Sequence, residues 1–331
     1  MRSLYFTAPR RIEIRDDQVP ETPSGEMLVE TSLSAISAGT EMLVYRGQAP
    51  AGLAADETIA ALGGSLDFPL RYGYAAAGRV IEAGEGIEPG WRGAAVFSFQ
   101  PHTTHFTAAP GDLVRIPGDV PPEDAVFLPN METALGLVMD AAPLAGERVA
   151  VLGQGVVGLL AAGVLAGFPL ERLVAFDAYP IRREAARAFA GAEALAAGAL
   201  PSGYAGHFDL VFELTGEPAA LDDAIALAGE EGRIVVGSWY GTKRAPVDLG
   251  GRFHRGRLRL VSSQVSRLAP GLTGRWTRDR RMAFAVDLLR RLRPGRLITH
   301  RFPFERAAEA YELLDRRPEE AVQVVLAYGE K

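Results

Sequence analysis

The sequence predicts an α/β protein in two parts, a β-barrel followed by a doubly wound parallel sheet. Three observations carry that prediction. The first third of the chain is built of alternating apolar and polar runs cut by Gly and Pro turns, the pattern of half-buried antiparallel strands. From Pro121 onward strands alternate with helices, the rhythm that builds a parallel sheet covered on both faces. Within that second part, Gly153-Gln154-Gly155-Val156-Val157-Gly158 follows the apolar run 148–152 directly and opens a helix of small residues.

Strands are expected at 11–14, 27–33, 78–83 and 94–99, with Pro23-Ser24-Gly25 and Pro89-Gly90 as turns. Pro122-Glu123-Asp124 starts a helix, because proline suits the first helical position and carboxylates favour the first turn, and 132–140 forms a second. After the glycine turn come the helix 156–166, the strand 172–176 and an alanine-rich stretch, 185–200, that keeps a helical pattern. Strands at 209–214, 232–237 and 257–261 come next, with the helix 218–228 between the first two. A helix over 282–293 stops at Pro294-Gly295, 304–314 is another helix, and 321–328 is the closing strand. One domain is therefore expected at 1–120, completed by 295–331, and the other at 121–294.

At 331 residues, with 48% hydrophobic and 23% charged composition, the chain is long enough to bury two cores. Its net charge of −6 argues against a general nucleic-acid binder. The arginines concentrated at 252–259 and 275–296 read as solvated faces and helix ends, with an anionic substrate or partner as the other explanation. No apolar run reaches the length of a membrane span, and charge returns at Arg10 and Arg11 too early for a signal peptide. A cytoplasmic enzyme with a small-molecule substrate and no membrane or nucleic-acid partner is expected. The absence of cysteine excludes disulfides, thiolate catalysis and thiolate-ligated zinc.

The glycine turn has the chemistry of a dinucleotide site. Gly153 makes the tight turn, Gly155 lets backbone approach a pyrophosphate, and Gly158 lets the helix pack closely on its strand, with the helix N-terminus facing the negative charge. The strand 172–176 ends in Asp177, about two dozen residues beyond the first glycine, where a carboxylate accepts hydrogen bonds from the adenosine ribose hydroxyls. Asp177 favours NAD because its charge repels a 2′-phosphate, although Arg182 and Arg183 stand close enough to soften that choice. Glu213-Leu214-Thr215-Gly216 and Gly237-Ser238-Trp239-Tyr240 end successive strands on the carboxyl edge, where such sheets bind ligands. Thr215, Gly237 and Ser238 are expected to line the nicotinamide; Trp239 and Tyr240 serve equally well as interface aromatics.

On these residues the chain resembles the medium-chain dehydrogenase/reductase family over essentially its whole length. The opening segment 4–30 looks like that family's first hairpin, and Gly39-Thr40-Glu41 with Tyr45-Arg46-Gly47 resembles the segment around its first catalytic zinc ligand. Gly73-Tyr74-Ala75-Ala76-Ala77-Gly78 stands where zinc members carry a Gly-His-Glu motif. The resemblance implies a GroES-like barrel plus a Rossmann domain, with the tail returning to the barrel and hydride transfer in the cleft between the two. It also implies that Arg182 holds the adenosine ribose and that Ser262-Ser263-Gln264 contacts the carboxamide. An exposed edge at that last strand would serve a homodimer.

The departures from the family pattern decide the chemistry. Ala38 replaces the first ligand cysteine, Tyr74 the ligand histidine and Ala75 the neighbouring glutamate, while the third ligand position falls near Pro129 or Asn130. The cysteine-rich lobe for structural zinc is absent, with 96–106 running straight through. A zinc-free member with no metal ligands is expected. Within the family, the segment 34–41, the turn Gly47-Gln48-Ala49-Pro50 and Phe68-Pro69-Leu70 are similar to the bacteriochlorophyllide a dehydrogenase branch, which implies oxidation of a secondary alcohol by NAD. That similarity does not extend to a porphyrin substrate.

Hydride transfer from an alcohol requires the hydroxyl proton to leave, a task that zinc eases by several kcal/mol as a Lewis acid. Without zinc, side-chain hydrogen bonds must serve, and a single well-placed donor is worth roughly 3–4 kcal/mol. Tyr74 is a candidate acid for carbonyl reduction or, if a neighbouring cation depresses its pKa, a base for alcohol oxidation; otherwise it fills the volume of the lost metal site. Thr40 matches the family position whose hydroxyl relays the substrate proton, and is also placed to cap a turn. Glu132 is either a base with raised pKa or a favourable charge in a helix first turn. His102 and His105, in a loop after a barrel strand, are candidate proton shuttles, with His102 the reserve member of the catalytic set.

The resulting expectation is a zinc-independent, NAD-dependent alcohol dehydrogenase or carbonyl reductase that handles protons with Tyr74, Thr40 and Glu132. Two rivals stand beside it. One is an enone or quinone reductase of the same superfamily, disfavoured by Asp177 because those enzymes usually prefer NADPH. The other is a nucleotide-binding sensor without turnover.

Overall fold

The chain opens with a hairpin, β1 (Arg2–Ala8) and β2 (Arg11–Asp16), whose register sets Tyr5 opposite Glu13. β3 (Met27–Ile36) is the spine of the large antiparallel sheet beside it. It is buried along most of its length because strands pair with it on both sides. The short helix α1 (Thr40–Tyr45) leaves its end, and β4 (Ala76–Ala83), β5 (Ala95–Ser98), β6 (His105–Ala108) and β7 (Val114–Arg115) complete this stretch. β3 runs antiparallel to both β4 and β6, β4 to β5, and β5 to β7. Met27, Val29, Val80, Val96 and Phe106 fill the core between these strands. The helices α2 (Pro122–Ala125) and α3 (Leu128–Ala141) come next.

The second stretch alternates strand and helix: β8 (Arg148–Leu152), α4 (Val156–Leu165), β9 (Arg172–Asp177), α5 (Pro180–Ala190), β10 (Glu193–Ala196), β11 (Phe208–Glu213), α6 (Ala220–Leu227), β12 (Ala228–Val236), β13 (Arg259–Ser262) and α7 (Arg278–Leu292). Among the described residues six of these strands form one all-parallel sheet in the order β10-β9-β8-β11-β12-β13. The chain starts at the centre with β8, winds outward through β9 and β10, then returns to β11 and winds the other way. The direction therefore reverses between β8 and β11, and such a switch point opens a crevice at the strands' carboxyl ends. β8, β9 and β11 are buried almost throughout, as strands covered on both faces must be.

The last stretch, β14 (Ile298–Pro303), α8 (Ala307–Arg316) and β15 (Gln323–Ala327), returns to the first sheet. β15 pairs antiparallel with β3, setting Val325 opposite Ala35, and β14 lies parallel beside β15. This computed structural model describes residues 1–50, 52–55, 59–198 and 203–329. Its contacts divide the chain into one unit of Met1–Pro129 with Leu289–Lys331 and another of Asn130–Leu288.

Three expectations need correction. The domain boundaries expected at 120/121 and 294/295 fall instead at 129/130 and 288/289. The side chain of Asp124 ties the two crossings together on the barrel side: it accepts the Gly295 N–H at 2.7 Å and pairs with Arg293 at 2.9 Å. The alanine-rich stretch 185–200 is not one helix. Gly191, in the left-handed conformation, ends α5, and 193–196 becomes β10 because it completes the edge of the sheet on β9; positions 199–200 lie outside the described residues. The helix expected at 282–293 starts earlier, at Arg278. Among the described residues no helix is long and apolar enough to cross a membrane.

Candidate cofactor and catalytic sites

The cofactor candidates gather at the carboxyl edge of the parallel sheet. Gly153 leaves β8 at φ +86°, and a Cβ there would stand 2.6 Å from the Leu214 carbonyl oxygen. At Gly158 a Cβ would fall 1.9 Å from the Gly153 carbonyl oxygen, so only glycine lets α4 begin this close to the turn. Gly155 caps α4 with no side-chain hydrogen bond, and nothing lies within 4 Å of where its Cβ would be. The first turn of α4, which begins with Val156 and Val157, therefore has no side-chain cap and stands beside open space, as an anion-binding helix start requires.

Asp177, buried at the end of β9, accepts the Gln154 N–H at 2.7 Å and the Tyr179 N–H at 2.8 Å. It thus organises the glycine turn as well as offering its remaining lone pairs. Arg182 stacks on the Tyr179 ring at 4.8 Å, whereas Arg183 donates to the Asp177 and Ala178 carbonyls at 2.9 and 2.7 Å. Gln154 itself turns inward, its amide nitrogen bonded to the Val151 and Gly153 carbonyls.

One strand over, the fully buried Glu213 carboxylate organises the adjoining loops. It accepts the Thr215 N–H at 2.8 Å, the Thr215 hydroxyl, and the Tyr240 hydroxyl at 2.5 Å. Burial, and next the hydrogen bond and charge of Glu213, hold the Tyr240 phenol far above its ordinary pKa. Ser238 accepts the Gly216 N–H at 2.8 Å, and Lys243 reaches the Gly216 carbonyl at 2.9 Å. Gly237 packs so closely on Leu137 and Leu214 that a Cβ would lie 2.5 Å from Leu137. Tyr240, read from the sequence as a nicotinamide-lining or interface aromatic, is an internal partner of Glu213. Ser263, expected near the carboxamide, donates to Asp140 at 2.6 Å.

Tyr74 and Thr40 come together in the barrel unit. The Tyr74 hydroxyl donates to Ser37 Oγ at 2.5 Å, and the Thr40 N–H points at the same oxygen at 3.4 Å. The pKa of Tyr74 is pushed up to about 12, first by desolvation and then by the negative charge of Glu41, while hydrogen bonds with Ser37 and Thr40 oppose the shift. The depressing cation that a phenolate base needs is not among its causes, so the structure corrects that half of the Tyr74 expectation: its phenol is a neutral donor.

Two further catalytic expectations change. His102 is fully buried, with Nδ1 at 2.7 Å from Ser34 Oγ and Nε2 at 2.9 Å from Glu41 Oε2. A ring enclosed on both nitrogens is no solvent-facing shuttle. Glu132 is no free base: its buried carboxylate accepts two hydrogen bonds, at 3.2 and 2.7 Å, from Arg281, which is itself 1% exposed. His105, half-buried on β6, has its pKa lowered by desolvation, with the charge of Glu30 opposing.

Sequence reasoning missed Ser37, Ser34, Tyr311 and Tyr328 as members of the barrel cluster. Glu41 Oε1 accepts the Ser37 N–H at 2.8 Å, and Oε2 accepts the Tyr311 hydroxyl at 2.6 Å. Ser34 Oγ meets the Tyr328 hydroxyl at 2.9 Å. The one local signal was Ser37 followed four residues later by Glu41 at a helix start, a spacing that lets a carboxylate reach back to a free N–H. Tyr311 and Tyr328 had none.

The zinc ligand set of the resembled family does not fit these residues. Ala38 and Ala75 offer no donor atom, the Tyr74 phenol is held protonated on Ser37, and His102 has both nitrogens engaged. Among the described residues no three His, Cys, Asp or Glu side chains form a group able to hold a metal ion.

No family model matches the chain. Individual proteins do. The 2-desacetyl-2-hydroxyethyl bacteriochlorophyllide A dehydrogenase of Cereibacter sphaeroides is 26% identical over 330 residues, which cover 93% of this chain and 92% of that protein. The starvation-sensing protein RspB of Escherichia coli K12 is 22% identical over the full length of both. The crystal structure of the rspB alcohol dehydrogenase from E. coli CFT073, complexed with NADH, superposes with a TM-score of 0.78 at 20% identity, covering 99% of each chain. The chain shares the two-part fold of medium-chain dehydrogenases/reductases, a barrel unit and a Rossmann-type parallel sheet, and is similar in sequence to such proteins over nearly its whole length.

Proposed function

We propose that the chain is a zinc-independent, NAD(H)-dependent oxidoreductase that interconverts a secondary alcohol and a ketone by hydride transfer. The observation that carries this reading is the uncapped start of α4 beside Gly155, with Asp177 bonded into the same turn: together they fit a pyrophosphate and the adjoining ribose. Val156, Val157 and the glycines would face the phosphates, Asp177 and Arg182 the adenosine ribose, and Thr215, Gly237 and Ser238 the nicotinamide end. A nicotinamide cofactor supplies or accepts the hydride. The Asp177 charge favours a free 2′-hydroxyl, and Arg183 is already spent on backbone carbonyls. NADH in the RspB crystal structure supports the same preference.

The oxygen chemistry falls to hydroxyl groups. Ala38, Tyr74 and Ala75 supply no zinc ligand set, so the charge developing on the substrate oxygen must be met by neutral donors. The raised pKa of Tyr74 keeps its proton available through the physiological range. A homodimer joined along β13, the edge strand on which Leu260 is 47% exposed, belongs to this reading.

The test is fluorescence titration with NADH and NADPH, then stopped-flow mixing of the tighter complex with acetone, cyclohexanone, acetophenone and cyclohexenone. Tighter NADH binding with ketone-dependent oxidation is expected. Tighter NADPH binding with oxidation by cyclohexenone alone would replace the reading with an enone reductase, and tight binding with no oxidation would favour a sensor. Metal analysis of the purified protein is expected to give less than one zinc per chain; a stoichiometric zinc whose removal abolishes oxidation would refute zinc independence.

A further inference from the structure

A proton count over the barrel cluster leaves one hydrogen without a partner. The Tyr74 hydroxyl donates to Ser37 Oγ at 2.5 Å. The Thr40 hydroxyl stands near enough to the phenol to oppose the rise in its pKa, and the Thr40 N–H points at Ser37 Oγ at 3.4 Å. Ser37 Oγ thus accepts twice, which fills both of its lone pairs. Its own hydrogen has no acceptor among the described residues. Ser37 is half-buried, Ala38 and Gly39 beside it are exposed, and none of the described residues lies within 4 Å of where a Cβ on Gly39 would be.

The same serine is held from behind. Glu41, fully buried, fixes the Ser37 N–H at 2.8 Å, and is itself fixed by the Tyr311 hydroxyl at 2.6 Å and His102 at 2.9 Å. His102 leans on Ser34, and Ser34 on Tyr328. A donor with no internal partner, on a backbone fixed by a buried carboxylate, has the build of a preorganised contact for a ligand oxygen.

We propose that Ser37 is the hydroxyl that touches the substrate oxygen, with Tyr74 and Thr40 lined up behind it as its proton supply. This rests on the alcohol–ketone reading above. In the reducing direction, a bound reduced nicotinamide would supply hydride to the carbonyl carbon, and the oxygen, as the C=O π pair moves onto it, takes the Ser37 proton. Ser37 takes the Tyr74 proton, Tyr74 takes the Thr40 proton, and water restores Thr40. Alcohol oxidation runs the line backward, delivering one proton to water and one hydride to the oxidised cofactor. A concerted line of neutral hydroxyls never builds the bare phenolate that burial and the Glu41 charge oppose.

The experiment compares Ser37→Ala, Ser37→Thr and Tyr74→Phe with the parent chain, using whichever panel ketone oxidises NADH. Ser37→Ala is expected to slow single-turnover hydride transfer by about 100-fold or more, the range for loss of a positioned acid, and Tyr74→Phe by about 10-fold. Ser37→Thr, which keeps the hydroxyl, should recover most of the rate. NADH affinity should be unchanged in all three; the thermal midpoint should be kept in Ser37→Thr and fall in Ser37→Ala, which leaves the Tyr74 hydroxyl without its acceptor. A readout without turnover is the infrared C=O stretch of the ketone bound with oxidised cofactor. Its shift to lower frequency should vanish in Ser37→Ala and persist in Tyr74→Phe. A Ser37→Ala chain as fast as the parent overturns the inference alone, as does a shift lost only in Tyr74→Phe, which would make the phenol the contact. A parent chain that binds NADH and reduces no ketone overturns the underlying reading and the inference with it.

Discussion

Both units bury a carboxylate, and they neutralise its cost in opposite ways. In the sheet unit, Glu132 meets the Arg281 guanidinium through two hydrogen bonds, and Arg281 also donates to the Val265 carbonyl at 2.6 Å. Charge answers charge, and α3 is pinned to α7. In the barrel unit, Glu41 has no arginine or lysine among its hydrogen-bond partners within the described residues. It is held by a backbone N–H, a phenol and an imidazole, and its field raises the pKa of both Tyr74 and Tyr311. A paired carboxylate is spent on structure, whereas one solvated by hydrogen bonds still acts on its neighbours. On the proposed reading, the difference favours the barrel cluster over Glu132 as the place where protons are handled.

The contrast breaks most visibly at Arg281. Arg281→Ala leaves the Glu132 charge buried without a partner, and the expected loss is about 3–5 kcal/mol of stability in urea unfolding. Replacing the pair together by Glu132→Leu with Arg281→Met should restore most of that, since a buried ion pair is often no better than apolar side chains of similar volume. Cofactor affinity and hydride transfer in the double variant should match the parent; a selective loss of rate would return Glu132 to the mechanism.

Glu41→Ala comes next. It strips the acceptor from the Ser37 N–H, the Tyr311 hydroxyl and His102, and unmet buried donors cost about 1–3 kcal/mol each before water enters. Glu41→Gln, which keeps an acceptor oxygen but no charge, should lose less stability, and the absorbance titration of Tyr74 should move down toward the ordinary tyrosine range. An unmoved titration would mean that desolvation alone sets the Tyr74 pKa.

How much of this was legible depends on where each signal lies along the chain. The glycine turn, its strand and Asp177 fall within one short segment, and local steric rules fix their arrangement. The β10 strand was hidden because alanine favours helix, and only pairing with β9 overrides that preference. The same distance effect misled the catalytic reading. Glu132 resembles a free base until Arg281, 149 residues later, is brought to it, and His102 resembles a shuttle until Ser34 and Glu41 enclose it. The place of Tyr74 was legible through family resemblance. The direction of its pKa shift was not, because burial and the Glu41 charge are properties of the fold.

The smallest effect is the most specific to the barrel cluster. Tyr74 ionises near 10 in an unfolded chain and at about 12 in the folded one, so folding favours its protonated form. That contribution is fully present below pH 10 and is lost as pH rises through 12. The urea midpoint of the parent chain should therefore fall between pH 10 and 12, and Tyr74→Phe should fall less steeply over the same window. Tyr45, Tyr204, Tyr240, Tyr311 and Tyr328 are also raised, so it is the difference between the two chains that isolates Tyr74. Parallel curves would mean that Tyr74 titrates as it does in water; it would then be open to solvent and not held on Ser37, and the proton line would lose its middle member.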